Sequence, residues 1–376
     1  MGANPLVGVI YHWIGGLASA SNFIPFRPIK RWSFEIYWII QGFAAWIVAP
    51  IVIGYIFVPD LLSVLRAAPS ATLWHAIFWG AMWGVGGLTF GLAVRYLGIA
   101  LGYAIALGFC TAFGTLMPPI FNGQIRGILH QPGGRVILLG VAICIVAIAV
   151  NGLAGYSKER EVPAEERAAI GERDYSFGKG LAVAIFAGIM SSCFAYGLSA
   201  GKGIAHIARQ QLVAHGRSEL WQNLPVLIVV LIGGFATNLL WSVILIVRNR
   251  SAAQFLGAPG INPEQPEVAS PLTDPRERLA PAVLVSNYAL ASLAGILWYF
   301  QFFFYSMGQT KMGKYDFSSW TLHMASIIIF ATLWGLVLHE WRDTSRRTRL
   351  LMAFGLFLLI GSTVVVGWGN YLESLT

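Results

Sequence analysis

Ionisable and hydrogen-bonding side chains are concentrated in one stretch of an otherwise apolar chain, residues 298–324. Gln301, Asp316 and His323 lie there among tryptophans and tyrosines, inside or beside apolar runs long enough to cross a bilayer. Because an ionisable group is costly to hold within a bilayer, such residues usually mark a functional site. On α-helical spacing, Asp316, Trp320 and His323 fall on one face, at i, i+4 and i+7. The stretch therefore predicts a polar site within the membrane.

A matching stripe lies on the preceding helix, where Trp298, Gln301 and Tyr305 share a face. Two facing stripes of aromatic rings and hydrogen-bonding groups suit a small polyhydroxylated ligand. The alternative is that Asp316 lies at the water interface as a helix N-cap and that the aromatic side chains form an interfacial belt. For His323, which lies one to two turns deeper, the alternative is a purely structural role.

The first two apolar segments carry further polar candidates. His12 and Asn22 belong to a stripe of small and polar residues, and its polar members either line a cavity or bond to a neighbouring helix. Glu35 lies at the start of the second segment, where a carboxylate also favours a helix N-terminus. Gln41 lies two turns deeper in that segment, where packing explains an amide less well.

The composition identifies the elements that must position these residues. Of 376 residues 56% are hydrophobic and 11% are charged, whereas soluble proteins average about 25% charged residues. The chain is therefore predicted to be an all-α integral membrane protein. A crossing needs about 20 residues, and ten apolar segments are long enough: 6–26, 35–58, 72–94, 98–121, 135–155, 178–200, 225–247, 281–307, 313–338 and 350–371.

The distribution of basic residues predicts the orientation. With ten crossings, eight Lys and Arg residues lie on the side that holds both termini and seventeen lie on the opposite side. The positive-inside rule then places both termini on the outside of the membrane. The two longer loops on the basic side, 156–177 and 248–280, are predicted to be solvated connectors.

A weak internal repeat divides the chain. Residues 16–30 align with 188–202, which pairs Gly16 with Gly188, and GAMW (80–83) and TLMPPIF (115–121) resemble GILW (295–298) and TLWGLVL (332–338). Each half holds five helices, an odd number, so the second copy is inserted upside down, as in many secondary transporters. The predicted units are 1–155 and 178–376, joined by the connector 156–177, with the loop 248–280 inside the second unit.

The sequence also argues against several classes of function. Metal-ligand spacings, a nucleophile elbow and a phosphate-binding glycine loop are absent from the sequence, so an enzyme, a metal and a cofactor are not predicted. The basic residues lie mostly in loops and are interpreted as topology signals, so nucleic acid is not an expected partner. The three cysteines lie in apolar segments and are interpreted as small packing residues.

Four motifs carry a resemblance to a known family. FRPIKRWSFEIYW, GAMWGVGGLTFGLAVRYLG, WYFQFFFYSMG with YDFSSWTLHM, and the late WRDTSRR loop are similar to the bacterial L-rhamnose–proton symporter family of the drug/metabolite transporter superfamily. The resemblance covers essentially the whole chain, although the loops 156–177 and 248–280 are less typical. It implies ten helices in two inverted five-helix repeats, and uptake of a 6-deoxyhexose, such as L-rhamnose, with a proton.

The resemblance also gives the candidate residues roles. Sugar hydroxyls need paired donors and acceptors, tryptophan and tyrosine rings cover the apolar sugar face, and coupling needs a group that titrates in the cavity. The proton-coupling candidates are Asp316, His323, Glu35 and His12; the substrate-binding candidates are Asn22, Gln41, Trp83, Asn238, Trp298, Gln301, Tyr305 and Trp320. An exporter of amino acids or other small metabolites on the same fold, and an uncoupled sugar facilitator, remain the alternative functions.

Overall fold

The computed structural model describes residues 3–97, 99–161, 176–258 and 278–375, and these residues form helices and connecting turns without a β-strand. The α-helices are α1 Pro5–Ser21, α2 Phe34–Phe43, α3 Ala49–Phe57, α4 Leu61–Ala67, α5 Ser70–Leu97, α6 Ile99–Phe121, α7 Ile125–His130, α8 Pro132–Glu161, α9 Phe177–Ala200, α10 Lys202–Ala214, α11 Leu224–Arg248, α12 Pro281–Lys311, α13 Ser319–Val337 and α14 Arg346–Ser374.

Nine helices in the described part of the chain are long and apolar enough to cross a membrane. One of them, Phe34–Phe57, is α2 and α3 joined end to end. The fold is therefore that of a multi-pass membrane protein, as the composition predicted. The first of the ten predicted segments differs, because α1 has 17 residues and is followed by a separate 3₁₀ turn at Ile24–Phe26. A helix of that length is at the short limit of what crosses the hydrocarbon core.

A π-helical turn at Ala44–Val48 joins α2 to α3. The turn is explained by Pro50, which has no N–H to donate to an earlier carbonyl and whose ring clashes with the preceding turn. Widening the helix by one residue keeps the chain helical across the proline, and such turns often occur at functional sites. Trp46, inside this turn, is buried.

Glycines allow the long helices to pack closely. A Cβ atom at Gly16 of α1 would lie 2.3 Å from Ser326 Oγ of α13, and one at Gly188 of α9 would lie 2.7 Å from Phe109 Cβ of α6. α1 also packs along α12, α9 packs along α5, and α8 packs against α14. Small residues are what allow membrane helices to approach this closely.

Three short helices, α4, α7 and α10, lie in stretches that were predicted to be loops. α10 buries one apolar face, with Ile204, Ala208 and Leu212 on successive turns, and it is too short and too polar to be found by a search for spanning segments. At the other surface α8 continues to Glu161, six residues beyond the predicted end. The remainder of the two predicted connectors, 162–175 and 259–277, lies outside the described residues.

Candidate functional site

Two histidines and two aromatic residues meet in the centre of the packing between α1, α12 and α13. The ring of Tyr305 lies 5.3 Å from that of His12 and 5.1 Å from that of His323, measured between centroids. The two imidazole rings are 6.4 Å apart, and Trp320 lies 5.8 Å from Tyr305. We call these four residues the histidine cluster. It brings together two of the four predicted proton-coupling residues.

Both histidines of this cluster are buried, at 0% exposure for His12 and 1% for His323. Neither ring nitrogen of His12, nor Nδ1 of His323, has a hydrogen-bond partner among the described residues. A buried polar group without a partner costs about 1–3 kcal/mol. Ionisable side chains buried within a membrane protein often mark a functional site, so the histidine pair is a candidate for one.

Glycines and one hydroxyl set the position of His12. A Cβ atom at Gly308 of α12 would lie 2.7 Å from His12 Nε2, so only glycine leaves room for the imidazole there. On the other side, Ser326 Oγ donates a hydrogen bond of 2.9 Å to the His12 carbonyl. Contacts from two helices thus fix both the backbone and the ring of His12.

Asp316 lies nearer the surface than the histidines. Its carboxylate is 3.4 Å from Lys202 Nζ, and its side chain is 32% exposed. The predicted α-helical face shared by Asp316 and His323 is interrupted, because Asp316 belongs to a 3₁₀ turn, Gly313–Ser318, and α13 begins at Ser319. The non-helical backbone of Tyr315 (φ −107°, ψ 49°) marks this break. The residue at the N-cap of α13 is Ser318, so Asp316 is not the cap that the alternative interpretation proposed.

Glu35 lies at the other end of the bundle. Its carboxylate accepts hydrogen bonds from Ser251 Oγ (2.7 Å) and Asn249 Nδ2 (3.1 Å), at the end of α11. α12 begins at that same end and runs 31 residues to Lys311, beyond which Asp316 lies. These hydrogen bonds connect α2 to the turn after α11. Glu35 therefore has structural partners of its own and does not belong to the histidine cluster.

The predicted tryptophans form a continuous row of rings. Trp298 contacts Trp38 at 5.3 Å and Trp46 at 5.1 Å, and Trp46 contacts Trp83 at 5.7 Å. Phe194 continues the row, at 5.2 Å from Trp83 and 5.8 Å from Trp320 of the histidine cluster. Aromatic rings from α2, α5, α9, α12 and α13 thus pack in one continuous row that ends at the histidine cluster.

Two of the predicted substrate-binding residues already use polar atoms for helix–helix contacts. Trp320 Nε1 donates to the Cys110 carbonyl of α6 at 3.0 Å, and Trp38 Nε1 donates to Asn238 Oδ1 at 3.2 Å. Asn238 Nδ2 donates in turn to the Gly234 carbonyl at 2.9 Å. In this conformation the Trp320 indole offers a ring face and not a donor.

The predicted amides are all buried. Gln41 is fully buried, and both atoms of its amide lack a hydrogen-bond partner among the described residues. Asn22 is buried at the C-cap of α1, where its Oδ1 also lacks a partner, and Gln301 is buried on α12. Unpaired amides are suited to hydroxyl groups, since an amide both donates and accepts.

Sequence reasoning missed Trp46, Phe194 and Phe302. Trp46 lies at the centre of the row, and its Nε1 has no partner among the described residues. The available signal was Pro50, four residues later in a spanning segment, which predicts a local break in the helix. Phe194 and Phe302, whose rings are 4.6 Å apart, are ordinary apolar residues in sequence and become visible only through their neighbours.

Comparison with known proteins identifies the family to which this chain belongs. The described residues contain no group of three or more His, Cys, Asp or Glu that could hold a metal ion. A family model described as L-rhamnose-proton symport protein matches residues 1–258 and 273–371. The L-rhamnose-proton symporter of Yersinia pestis (strain Pestoides F) is 33% identical over 368 residues, which cover 97% of this chain and 98% of the relative. That of Klebsiella pneumoniae (strain 342) is 33% identical over 367 residues, which cover 96% and 97%. These matches extend over nearly the full length of both chains, and the chain therefore belongs to the L-rhamnose-proton symporter family, a family of membrane transporters and not of enzymes.

Proposed function

We propose that this protein takes up L-rhamnose, or a closely related 6-deoxyhexose, together with a proton across the bacterial inner membrane by alternating access. The observation that carries the proposal is the near full-length match to L-rhamnose-proton symporters. The row of rings and buried, unpaired polar atoms that ends at the histidine cluster supports it from within the molecule. A neutral sugar has an apolar face for such rings and hydroxyls for such polar atoms.

The architecture that accompanies this function is ten spanning helices in two inverted five-helix repeats, the drug/metabolite transporter fold, with α1 as the tenth crossing. Close glycine contacts support it. The alignment of residue 115 with 332 sets Phe109 opposite Ser326, and the aligned glycines Gly16 and Gly188 contact those two residues. A pseudo-twofold axis relates contacts in this reciprocal way.

A second reciprocal pair supports the same axis. The motif alignment pairs Gly80 with Gly295. A Cβ atom at Gly80 would lie 2.0 Å from the Val230 carbonyl oxygen of α11, and one at Gly295 would lie 2.3 Å from the Gln41 carbonyl oxygen of α2. α2 and α11 are the second spanning helices of the two proposed repeats, so each glycine contacts the corresponding helix of the other half.

The sugar site consists of the row of rings with Gln41, Gln301 and the other predicted amides at its edges. Trp83 and Trp298 supply ring faces, and Trp46 joins them. Tyr305 and Trp320, which belong to the histidine cluster, lie between the rest of this sugar site and the two histidines. A sugar bound along the row would therefore lie close enough to His323 to change how that residue is hydrated.

The proton site is the pair His12 and His323, with Asp316 at its surface entrance. Once one imidazole is protonated, its charge opposes protonation of the other, so the pair holds one proton more readily than two. Binding of a sugar hydroxyl supplies the hydrogen-bond partner that the buried rings lack. The protonated pair and the bound sugar then stabilise each other, which is the thermodynamic requirement for symport.

The driving force suffices for concentrative uptake. Moving one proton inward with a neutral sugar transfers one charge, so about 100 mV contributes about 2.3 kcal/mol. One pH unit contributes about 1.4 kcal/mol. Together they support about a 500-fold sugar gradient.

The orientation has both termini in the periplasm and the loops 27–34, 156–177, 248–280 and 339–349 in the cytoplasm. It is supported by the seventeen-to-eight distribution of basic residues. Single cysteines at Ala3 and Ala252 test it with a membrane-impermeant thiol reagent in intact cells. If the termini are periplasmic, only Ala3→Cys should be labelled. Labelling of Ala252→Cys alone would show the opposite orientation.

The decisive experiment for function adds L-rhamnose to proteoliposomes in weak buffer while the external pH is recorded. Symport predicts an alkalinisation that requires the sugar and disappears with a protonophore. Sugar entry without any pH change would identify an uncoupled facilitator. Absence of both binding and entry would exclude L-rhamnose as the substrate, and the same assay with other 6-deoxyhexoses and with amino acids would then identify the substrate class.

A further inference from the structure

A long apolar groove of about 840 Å³ lies on the membrane-facing side of the bundle, between α2–α3, α11 and α12. Its walls include Phe43, Val52, Phe235, Leu239, Ile296 and Phe300. Several of these side chains are open to the surroundings; Phe43, for example, is 51% exposed. In a membrane protein such surfaces face lipid, so an acyl chain is the chemical species that meets this groove.

The length of the groove matches one acyl chain. Its wall on α2–α3 runs from Ile39 to Ile53, which is about 21 Å at 1.5 Å per residue. One leaflet of the hydrocarbon core is about 15 Å thick, half of about 30 Å. A chain that enters from one membrane surface therefore remains within the groove along its whole length.

One end of the groove has a rigid polar rim at headgroup level. Phe255 and Tyr288 line this end, and the Tyr288 hydroxyl donates to the Phe255 carbonyl at 2.9 Å. Trp32 packs edge-on against Tyr288 at 4.9 Å and donates from Nε1 to the Gln254 carbonyl at 3.0 Å. Tryptophan and tyrosine with such polar anchoring are typical of the membrane–water interface.

Exposed cations belong to the segments that carry this rim. Arg248 and Arg250 directly precede the 3₁₀ turn Ser251–Leu256 that carries Phe255, and Lys30 N is 3.2 Å from Oδ1 of Asn287, the residue before Tyr288. The side chains of Lys30, Arg248 and Arg250 are exposed, and no ion pair is found for them among the described residues. Glu35, which accepts hydrogen bonds from Asn249 and Ser251 beside these arginines, forms no ion pair with them in the described part of the chain.

From this juxtaposition we propose that the groove is a binding site for one anionic phospholipid, with an acyl chain between α2–α3, α11 and α12 and the phosphate on Lys30, Arg248 and Arg250. Charge complementarity selects an anionic headgroup over a zwitterionic one, because clusters of Lys and Arg at a helix end attract anionic lipids. In the proposed orientation the lipid belongs to the cytoplasmic leaflet. The site adjoins the π-helical turn Ala44–Val48, so a bound chain contacts the helix that carries Trp46.

Native mass spectrometry of the full-length protein in detergent tests the site, with dioleoyl phosphatidylglycerol as the anionic probe and dioleoyl phosphatidylcholine as the neutral one. The expected result is one tightly retained phosphatidylglycerol per protein and weaker retention of phosphatidylcholine. Each cation near an anionic surface accounts for about a fivefold change in affinity, so R248Q/R250Q should weaken phosphatidylglycerol binding about 25-fold. The pair R346Q/R347Q, also exposed and basic at a helix end, is the matched control and should bind as the wild type does.

A second variant tests the groove itself. Ser292 lines its wall, and Ser292→Trp should displace the acyl chain and abolish selective retention while the cations remain. Should this variant fail to fold, Leu239→Trp at the partly exposed edge of the groove replaces it. Equal retention of phosphatidylglycerol by wild type, R248Q/R250Q and the groove variant would overturn the proposal, as would equal retention of both lipids by the wild type. The outcome is independent of the sugar that the protein carries.

Discussion

The contact between Gly16 and Ser326 gives the sharpest single test of how α1 and α13 pack. A Cβ atom added at Gly16 would lie 2.3 Å from Ser326 Oγ, 2.5 Å from its Cβ and 2.6 Å from its carbonyl carbon. The hydroxyl can rotate away, but the backbone carbon cannot. Because carbon atoms in contact lie about 3.5–4.0 Å apart, Gly16→Ala must separate the two helices by about 1 Å.

The expected cost follows from two opposing effects. Overpacking of a well-packed interior costs about 1–3 kcal/mol. Replacing a helical glycine by alanine returns about 1 kcal/mol, since glycine is the poorer helix former. Gly361→Ala in α14 isolates the second effect, because no neighbouring atom lies within 4 Å of its added Cβ. We therefore expect Gly16→Ala to be less stable than Gly361→Ala by about 1–3 kcal/mol.

The functional consequence concerns His12. Separation of α1 from α13 breaks the 2.9 Å hydrogen bond from Ser326 Oγ to the His12 carbonyl and moves His12 away from His323. Proton-coupled accumulation of L-rhamnose should then fall more than exchange of labelled for unlabelled sugar. Thermal unfolding in detergent and transport in proteoliposomes measure the two effects on the same preparation. If Gly16→Ala has the same melting temperature as Gly361→Ala and accumulates sugar normally, the described packing of α1 on α13 is refuted.

Four further substitutions test the site. His323→Gln and His12→Gln should each abolish uphill accumulation and retain sugar exchange, because the amide cannot carry the proton; uphill uptake by both variants would exclude the histidine pair as the coupling group. Asp316→Asn should also abolish uphill accumulation while binding or exchange persists, and normal accumulation with normal pH dependence would reduce Asp316 to a surface partner of a lysine. Trp298→Ala should weaken L-rhamnose binding, measured by isothermal titration, by about 1–3 kcal/mol if the ring stacks on the sugar as rings stack on bases. The lipid-facing Trp368, which is 55% exposed, serves as the control, and equal affinities for the two alanine variants would place the sugar elsewhere.

Hydropathy and helical periodicity predicted much of the scaffold. The positions of nine long helices follow from runs of apolar residues, and their ends agree to within a few residues for most segments. The same reasoning did not reveal that the first segment is divided into the 17-residue helix α1 and a 3₁₀ turn, because both parts belong to one apolar run in the sequence. It also failed at α10, where burial of one face, and not crossing of the membrane, stabilises the helix.

The site was predictable residue by residue but not as an assembly. His12 and His323 are each unusual inside an apolar segment, so each could be selected from sequence. Their proximity depends on glycines that bring α1 to α12 and α13, which lie far from α1 in the chain. Asp316 could also be selected from sequence, but the prediction that it shares a helical face with His323 was wrong. A 3₁₀ turn before Ser319 interrupts the helix, and residue spacing alone does not reveal such a turn.

Ion pairs at the two ends of the bundle could affect the equilibrium between the outward-open and inward-open forms of the proposed alternating access. At one end Lys202 pairs with Asp316 at 3.4 Å, and at the other Arg27 pairs with Glu340 at 2.8 Å. All four side chains are between 32% and 66% exposed. Exposed ion pairs contribute only about 0–1 kcal/mol to stability. Neither pair can hold one end closed by itself.

The equilibrium between outward-open and inward-open forms must therefore depend on the buried contacts. Moving a two-state equilibrium from 1:99 to 99:1 takes about 5.5 kcal/mol of differential binding. Surface ion pairs are too weak by several-fold. A sugar that forms hydrogen bonds with several unpaired buried atoms contributes about 1–3 kcal/mol of binding free energy for each, which is sufficient. Among those atoms are the ring nitrogens of His12 and the amide of Gln41. In the proposed mechanism the sugar and the proton form hydrogen bonds with these buried atoms and so supply the free energy that changes the conformation.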